Sequence, residues 1–215
     1  VRADNTTIRK LAIYGFGDSG SALTDGNIEV PSGLSVGGLI VEENVIGTSA
    51  DSFTDPGAGN RGGGSGVAIE DGTGAQTTIQ NNLFGYLDEL AVGILSSDNI
   101  VVTGNEVLSV ALGGNIYIDA FSAEEGSSNV EWSNNLVDGA PGNGISMWRT
   151  SGNHLVRNNT ITNVGSGGAQ TAAVFVAGTG STIDKNVLSG NSGPAIVVAG
   201  ENPAGGAYQW PVATD

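Results

Sequence analysis

The stretch Thr77-Thr78-Ile79-Gln80-Asn81-Asn82-Leu83-Phe84-Gly85 sets an apolar residue three places before an asparagine and another two places after it. The same pattern returns at Val41/Asn44/Ile46, Val102/Asn105/Val107, Trp132/Asn135/Val137, Val156/Asn159/Ile161 and Ile183/Asn186/Leu188. A further copy, Ile8/Leu11/Ile13, has leucine in place of the asparagine. Successive central positions lie 33, 38, 23, 30, 24 and 27 residues apart. Self-similarity at that period marks one unit of a solenoid.

Each copy is followed, after a variable segment, by an apolar pair one residue apart: Ile28/Val30, Val67/Ile69, Val92/Ile94, Ile116/Ile118, Ile145/Met147, Val174/Val176 and Ile196/Val198. Period-two alternation of this kind puts one face of a short strand inside and the other outside. Val, Ile and Thr dominate the strands, and Gly, Asn, Asp and Ser punctuate them. A unit therefore reads as a strand before the Asn, a tight turn at it, a strand after it, a variable loop and a third strand. The fold class expected is all-β: a single-stranded parallel β-helix of about seven coils over 1–200, with a cap or linker at 201–215. Tyr208 and Trp210 are the aromatic residues of that tail.

A fixed asparagine has a physical reason in such a stack. Its amide donates to the Asn carbonyl of one neighbouring coil and accepts from the other, so buried corner groups are satisfied without water. Asn44, Asn82, Asn105, Asn135, Asn159 and Asn186 are the expected rungs of this ladder. Asn also tolerates the left-handed backbone of a sharp turn, which predicts that conformation at the rungs themselves.

The segments TTIQNNLFG (77–85), HLVRNNTITN (154–163) and STIDKNVLSGN (181–191) resemble the right-handed parallel β-helix repeats of the pectate-lyase-like superfamily. ENVIGTSADSFTDPGAGNRGGGSGVAI (43–69) is similar to repeats in large bacterial surface proteins of that class. The resemblance implies right-handed coiling and, for enzymes of the superfamily, a substrate groove over the third strand. Carried over by position, the outward residues are Ala68, Gly93, Tyr117, Ser146, Phe175 and Val197, followed by Glu70, Leu95, Asp119, Trp148 and Ala177. Tyr117, Trp148 and Phe175 are then the candidate sugar-binding aromatics, with Asp119 and Arg149 as catalytic candidates.

The chemistry expected of such enzymes is poorly supported. Glycoside hydrolysis needs two carboxylates at controlled separation, and a shared column would place Asp119 two coils from Glu70, about 10 Å away. A Gly-His-Gly motif, paired aspartates and an Asp-Pro-His-Glu motif are all missing from the chain. The single histidine, His154, reads as a turn residue before an inward strand. Arg61 to Gly66 is glycine-rich but lacks the Lys of a phosphate loop and precedes a strand. Acidic loops carrying Asp51 and Asp55, or Asp119, Glu124 and Glu125, lack EF-hand spacing, which leaves Ca2+ as an option and no cofactor as a requirement.

Composition narrows the partners. The net charge of −15, with 22 acidic and 7 basic residues, opposes nucleic acid and anionic membrane surfaces. No run approaches the ~18 apolar residues of a membrane span. Without cysteine there is no disulfide framework and no thiolate metal site. Acidic composition with two lysines, Lys10 and Lys185, suits an extracellular or cell-surface setting. VRADNTTI at the start aligns with VAGTGSTI at 176–183, so the chain begins in mid-coil. That suggests a segment of a longer β-helix, or ends that abut a partner. The expected role is a structural or interaction module, self-associating through coil ends or lateral faces or touching a polysaccharide. The alternative is a polysaccharide lyase or glycoside hydrolase at the third-strand face.

Overall fold

The computed structural model describes residues 1–17, 24–114, 118–167 and 171–199. All strand pairs among the described residues are parallel, apart from one isolated bridge between Ser49 and Ser52. The first sheet stacks Thr7–Arg9, Ile40–Glu42, Thr77–Gln80, Asp98–Thr103, Ser128–Ser133, Leu155–Arg157 and Thr182–Asp184. The second stacks Ala12–Ile13, Val45–Ile46, Leu83–Gly85, Glu106–Leu108, Leu136–Ala140, Thr160–Val164 and Val187–Ser189. The third stacks Gly26–Val30, Ser65–Glu70, Val92–Leu95, Phe121–Glu124, Ile145–Gly152, Val174–Thr179 and Ile196–Val198. The long strand Ile145–Gly152 turns the corner and pairs Gly152 with Ser128, which joins the third sheet to the first.

The apolar repeat lines the interior. Ile8, Val41, Ile79, Val102, Trp132, Val156 and Ile183 share one column. Ile46, Phe84, Val107, Val137 and Ile161 form another, fully buried. Inside the tube Trp132 stacks on Phe121 with ring centroids 5.4 Å apart. Burying one such side chain contributes roughly 1.5–3 kcal/mol, and the parallel pleat repeats that gain at each coil.

The asparagine ladder is present and carries a direction. Each Nδ2 donates to Oδ1 of the Asn one coil later, at 2.9 to 3.1 Å from Asn44 through to Asn186. The second Nδ2 hydrogen goes to a carbonyl of the preceding coil, such as Val41 for Asn82 and Trp132 for Asn159. Each rung's own N–H also donates forward to the next Oδ1. An interior rung thereby uses both donors and both acceptor sites of its side chain.

The left-handed turn sits elsewhere than expected. Positive φ belongs to the residue before each rung: Lys10, Glu43, Asn81, Gly104, Asn134, Asn158 and Lys185. The rung itself must aim its amide along the stack, so its predecessor takes the corner. At Gly104 an added Cβ would come within 2.6 Å of the Asn81 Oδ1, which favours glycine there.

A second correction concerns the fourth coil. Its inward third-strand pair is Phe121 and Ala123, in register with Val92 and Ile94, and not Ile116 and Ile118. Both pairs satisfy the period of two, so alternation alone cannot choose between them. Ile116 lies outside the described residues, and Ile118 precedes the strand.

Candidate functional site

The shift in the fourth coil rewrites the third-sheet face. Register places Glu29, Ala68, Gly93, Ser122, Ser146, Phe175 and Val197 in its first outward column. Glu70, Leu95 and Glu124 follow in the next. Asp119 belongs to neither column, so the expected alignment of Asp119 with Glu70 does not exist. Tyr117 and the side chain of Arg149 lie outside what the structure describes, as does the 201–215 tail with Tyr208 and Trp210.

Asp119 is a corner residue two places before its strand, and Asn143 occupies the equivalent place one coil later. Its Oδ1 accepts the Asn143 N–H at 2.6 Å and the Asn143 Nδ2 at 2.8 Å. Asn143 Oδ1 in turn accepts the Ala172 N–H at 2.7 Å. This is a second, shorter ladder, with donors pointing back along the chain rather than forward. The other carboxylate oxygen takes the Trp148 indole N–H at 3.3 Å. Burial pushes the Asp119 carboxyl above its ordinary range, against the opposing pull of hydrogen bonds from Ser146, Asn143 and Trp148.

Trp148 is half-buried and stacks on Phe175, with centroids 4.1 Å apart and planes inclined by 29°. Phe175 is outward by register yet fully buried, as are Ala68 and Ser146 in the same column. Of the three aromatics singled out for sugar contact, the structure brings these two together, and Trp148 keeps some exposure. Their packing with Ala172, Ala177, Val197 and Ala199 forms a small apolar cluster on the outside of the sheet.

His154 is not a turn residue at the surface. Its ring lies inside the tube, 1% exposed, where Nδ1 accepts the Val130 N–H at 3.3 Å. Burial lowers its pKa from 6.5 to about 4.

The loop following the second coil's ladder strand holds the other charged feature. Arg61 forms a two-pronged pair with Asp55, at 2.9 and 2.6 Å, and reaches Asp88 at 3.5 Å. That hydrogen bonding holds Asp55 below its ordinary pKa. Among the described residues, no three His, Asp or Glu side chains gather in a way that could hold a metal ion.

Sequence reasoning missed Asn143 and the Arg61 clamp. A signal for the first was available. Asp119-Ala120-Phe121-Ser122-Ala123 and Asn143-Gly144-Ile145-Ser146-Met147 share a polar–small–apolar–Ser–apolar pattern. Aligning those five residues sets both the strand and the second ladder.

A family model described as right handed beta helix region matches residues 1–172, and the chain belongs to that family. No curated protein and no solved structure matches it.

Proposed function

We propose that this right-handed β-helix is a structural and interaction module of an extracellular or cell-surface protein, a rigid stalk that presents its irregular loops. One observation carries the reading: the chain's best chemical groups are spent on the scaffold. Both oxygens of Asp119 hold neighbouring coils and Trp148, and the sole histidine is inside the tube. Neither is offered to a substrate, whereas glycoside hydrolysis asks for two carboxylates facing one bond. The acidic composition supports the extracellular setting.

We assign self-contact to the outward face of the second sheet, where Val45, Leu83, Leu136 and Val187 share one column with Ala12, Glu106 and Thr160. Any glycan contact belongs to the partly exposed rim of Trp148.

The test is a polysaccharide panel scored for turnover and for binding, beside sedimentation at rising concentration. The proposal expects no turnover, and an association that Leu136→Lys weakens. Turnover abolished by Asp119→Asn in a folded protein would establish the lyase or hydrolase instead.

A further inference from the structure

The side chains that open the first strand of each coil stack as Thr6, Leu39, Thr77, Ile100, Val130, His154 and Ser181. Ile100 and Val130 are apolar and buried, and the stack then turns polar at His154. Because Nδ1 accepts from the Val130 N–H, the imidazole proton sits on Nε2. Nε2 is buried and has no hydrogen-bond partner, and the same holds for the Trp132 indole nitrogen one coil earlier.

Among the described residues, no counter-charge faces this ring. Glu131 and Arg157, on the strands to either side of the junction, pair with each other on the outer surface at 2.8 Å. Asp184 and Lys185 pair at 3.4 Å and are exposed. Asp138, on the second sheet, accepts from Thr162 and Asn163. The strands Thr160–Val164 and Val174–Thr179 carry no charged residue. Arg149, of like sign to an imidazolium, is the charged residue of Ile145–Gly152.

From this geometry we infer that His154 is an acid-sensitive latch between the fifth and sixth coils, whose protonation releases residues 154–199 while the earlier coils stay wound. Protonation removes the Nδ1 acceptor of the Val130 N–H and turns Nδ1 into a donor aimed at a donor. It also places a charge in an apolar tube with no partner. Coils of a solenoid touch only their neighbours, so a failed junction divides the stack there. In the coils after the junction Ile183 and Leu188 are partly buried, and Val187, Ile196 and Val198 are exposed.

The sign follows from the lowered pKa. The opened state protonates near 6.5 and the closed state near 4. Opening therefore becomes easier as pH falls through that window, by about 30-fold at pH 5 and at most about 300-fold.

Hydrogen exchange read by mass spectrometry on the full chain, corrected for intrinsic rates, tests the latch. From pH 7 to pH 5, peptides within 154–199 should lose protection by about 20-fold while those within 28–110 hold. His154→Asn, whose Oδ1 can replace Nδ1 as acceptor and does not titrate, should remove that step. Uniform loss along the chain, or a step that persists in His154→Asn, would overturn the inference. If that variant does not fold, the single imidazole resonance of the native protein decides. Titration near 6.5 in the folded state excludes the latch, and titration near 4 with loss of the downstream coils supports it.

Discussion

Asn143 gives both its backbone N–H and its side-chain Nδ2 to one oxygen of Asp119, at 2.6 and 2.8 Å, from the coil that follows. The forward ladder repeats the same two-donor grip, for example from Asn82 onto the Asn105 Oδ1 at 3.0 Å for both donors. The carboxylate that looked catalytic in the sequence is thus the terminal acceptor of a second ladder. Its chemistry is that of an amide oxygen with an extra charge.

Asp119→Ala should destabilise the protein by about 2–3 kcal/mol, because the buried Asn143 donors lose their acceptor. Asp119→Asn keeps an oxygen in place and should lose much less. Urea midpoints at neutral pH compare the two.

The same carboxyl makes a pH prediction. Its folded pKa is raised by burial, so the native state holds its proton more tightly than the unfolded chain. The stability it contributes is full below the unfolded pKa and lost as pH rises through the folded value. Acid titrations of stability for the native protein and Asp119→Asn should diverge in that direction.

A middle rung of the forward ladder should matter more than its end. Asn105→Ala strands the Asn82 N–H and Nδ2 and the Ile79 carbonyl, for a loss of about 4 kcal/mol. Asn186→Ala strands the matching groups, the Asn159 N–H and Nδ2 and the Val156 carbonyl, but at a half-buried rung that water reaches, and should lose about 1–2 kcal/mol. Equal losses would show that burial does not set the weight of a rung.

Leu11→Asn should extend the ladder by one rung. The Leu11 N–H already donates to the Asn44 Oδ1 at 3.1 Å, so an amide there lies beside its acceptor. Leu11 is 51% exposed, and little burial is lost by removing it. A gain of about 0.5–1 kcal/mol is expected from denaturant unfolding.

Arg61→Lys should loosen the loop between Thr48 and Gly62. A lysine ammonium cannot reproduce the two-pronged contact with Asp55. Limited proteolysis should cut this loop faster in the variant, and added salt should speed cutting in the native protein.

Much of the fold was legible because its signal is periodic. Val102 and Trp132 announce the tube wall wherever the coil length permits, and Asn105 and Asn135 mark its corner. The candidate site was less legible. Asp119 is one of 22 acidic residues, and nothing local distinguishes a solvated carboxylate from one that holds an amide in the next coil. His154 read as a turn residue because its neighbours are Gly152 and Asn153. Only stacking on Val130 reveals that it points inward.

The sequence by itself determined the parallel β-helix, its rungs and the interior columns, because stacking identical positions forces a repeat onto the chain. Tertiary structure decided register and direction. Phe121 and Ala123 take the inward register of Val92 and Ile94, the left-handed turn falls one residue before each Asn, and Asp119 and His154 turn toward other coils. Those choices rest on hydrogen bonds and packing between residues more than twenty positions apart, such as Asp119 with Asn143 and Val130 with His154. Local propensity does not register such contacts, because each partner becomes visible only when the next coil is laid beside it.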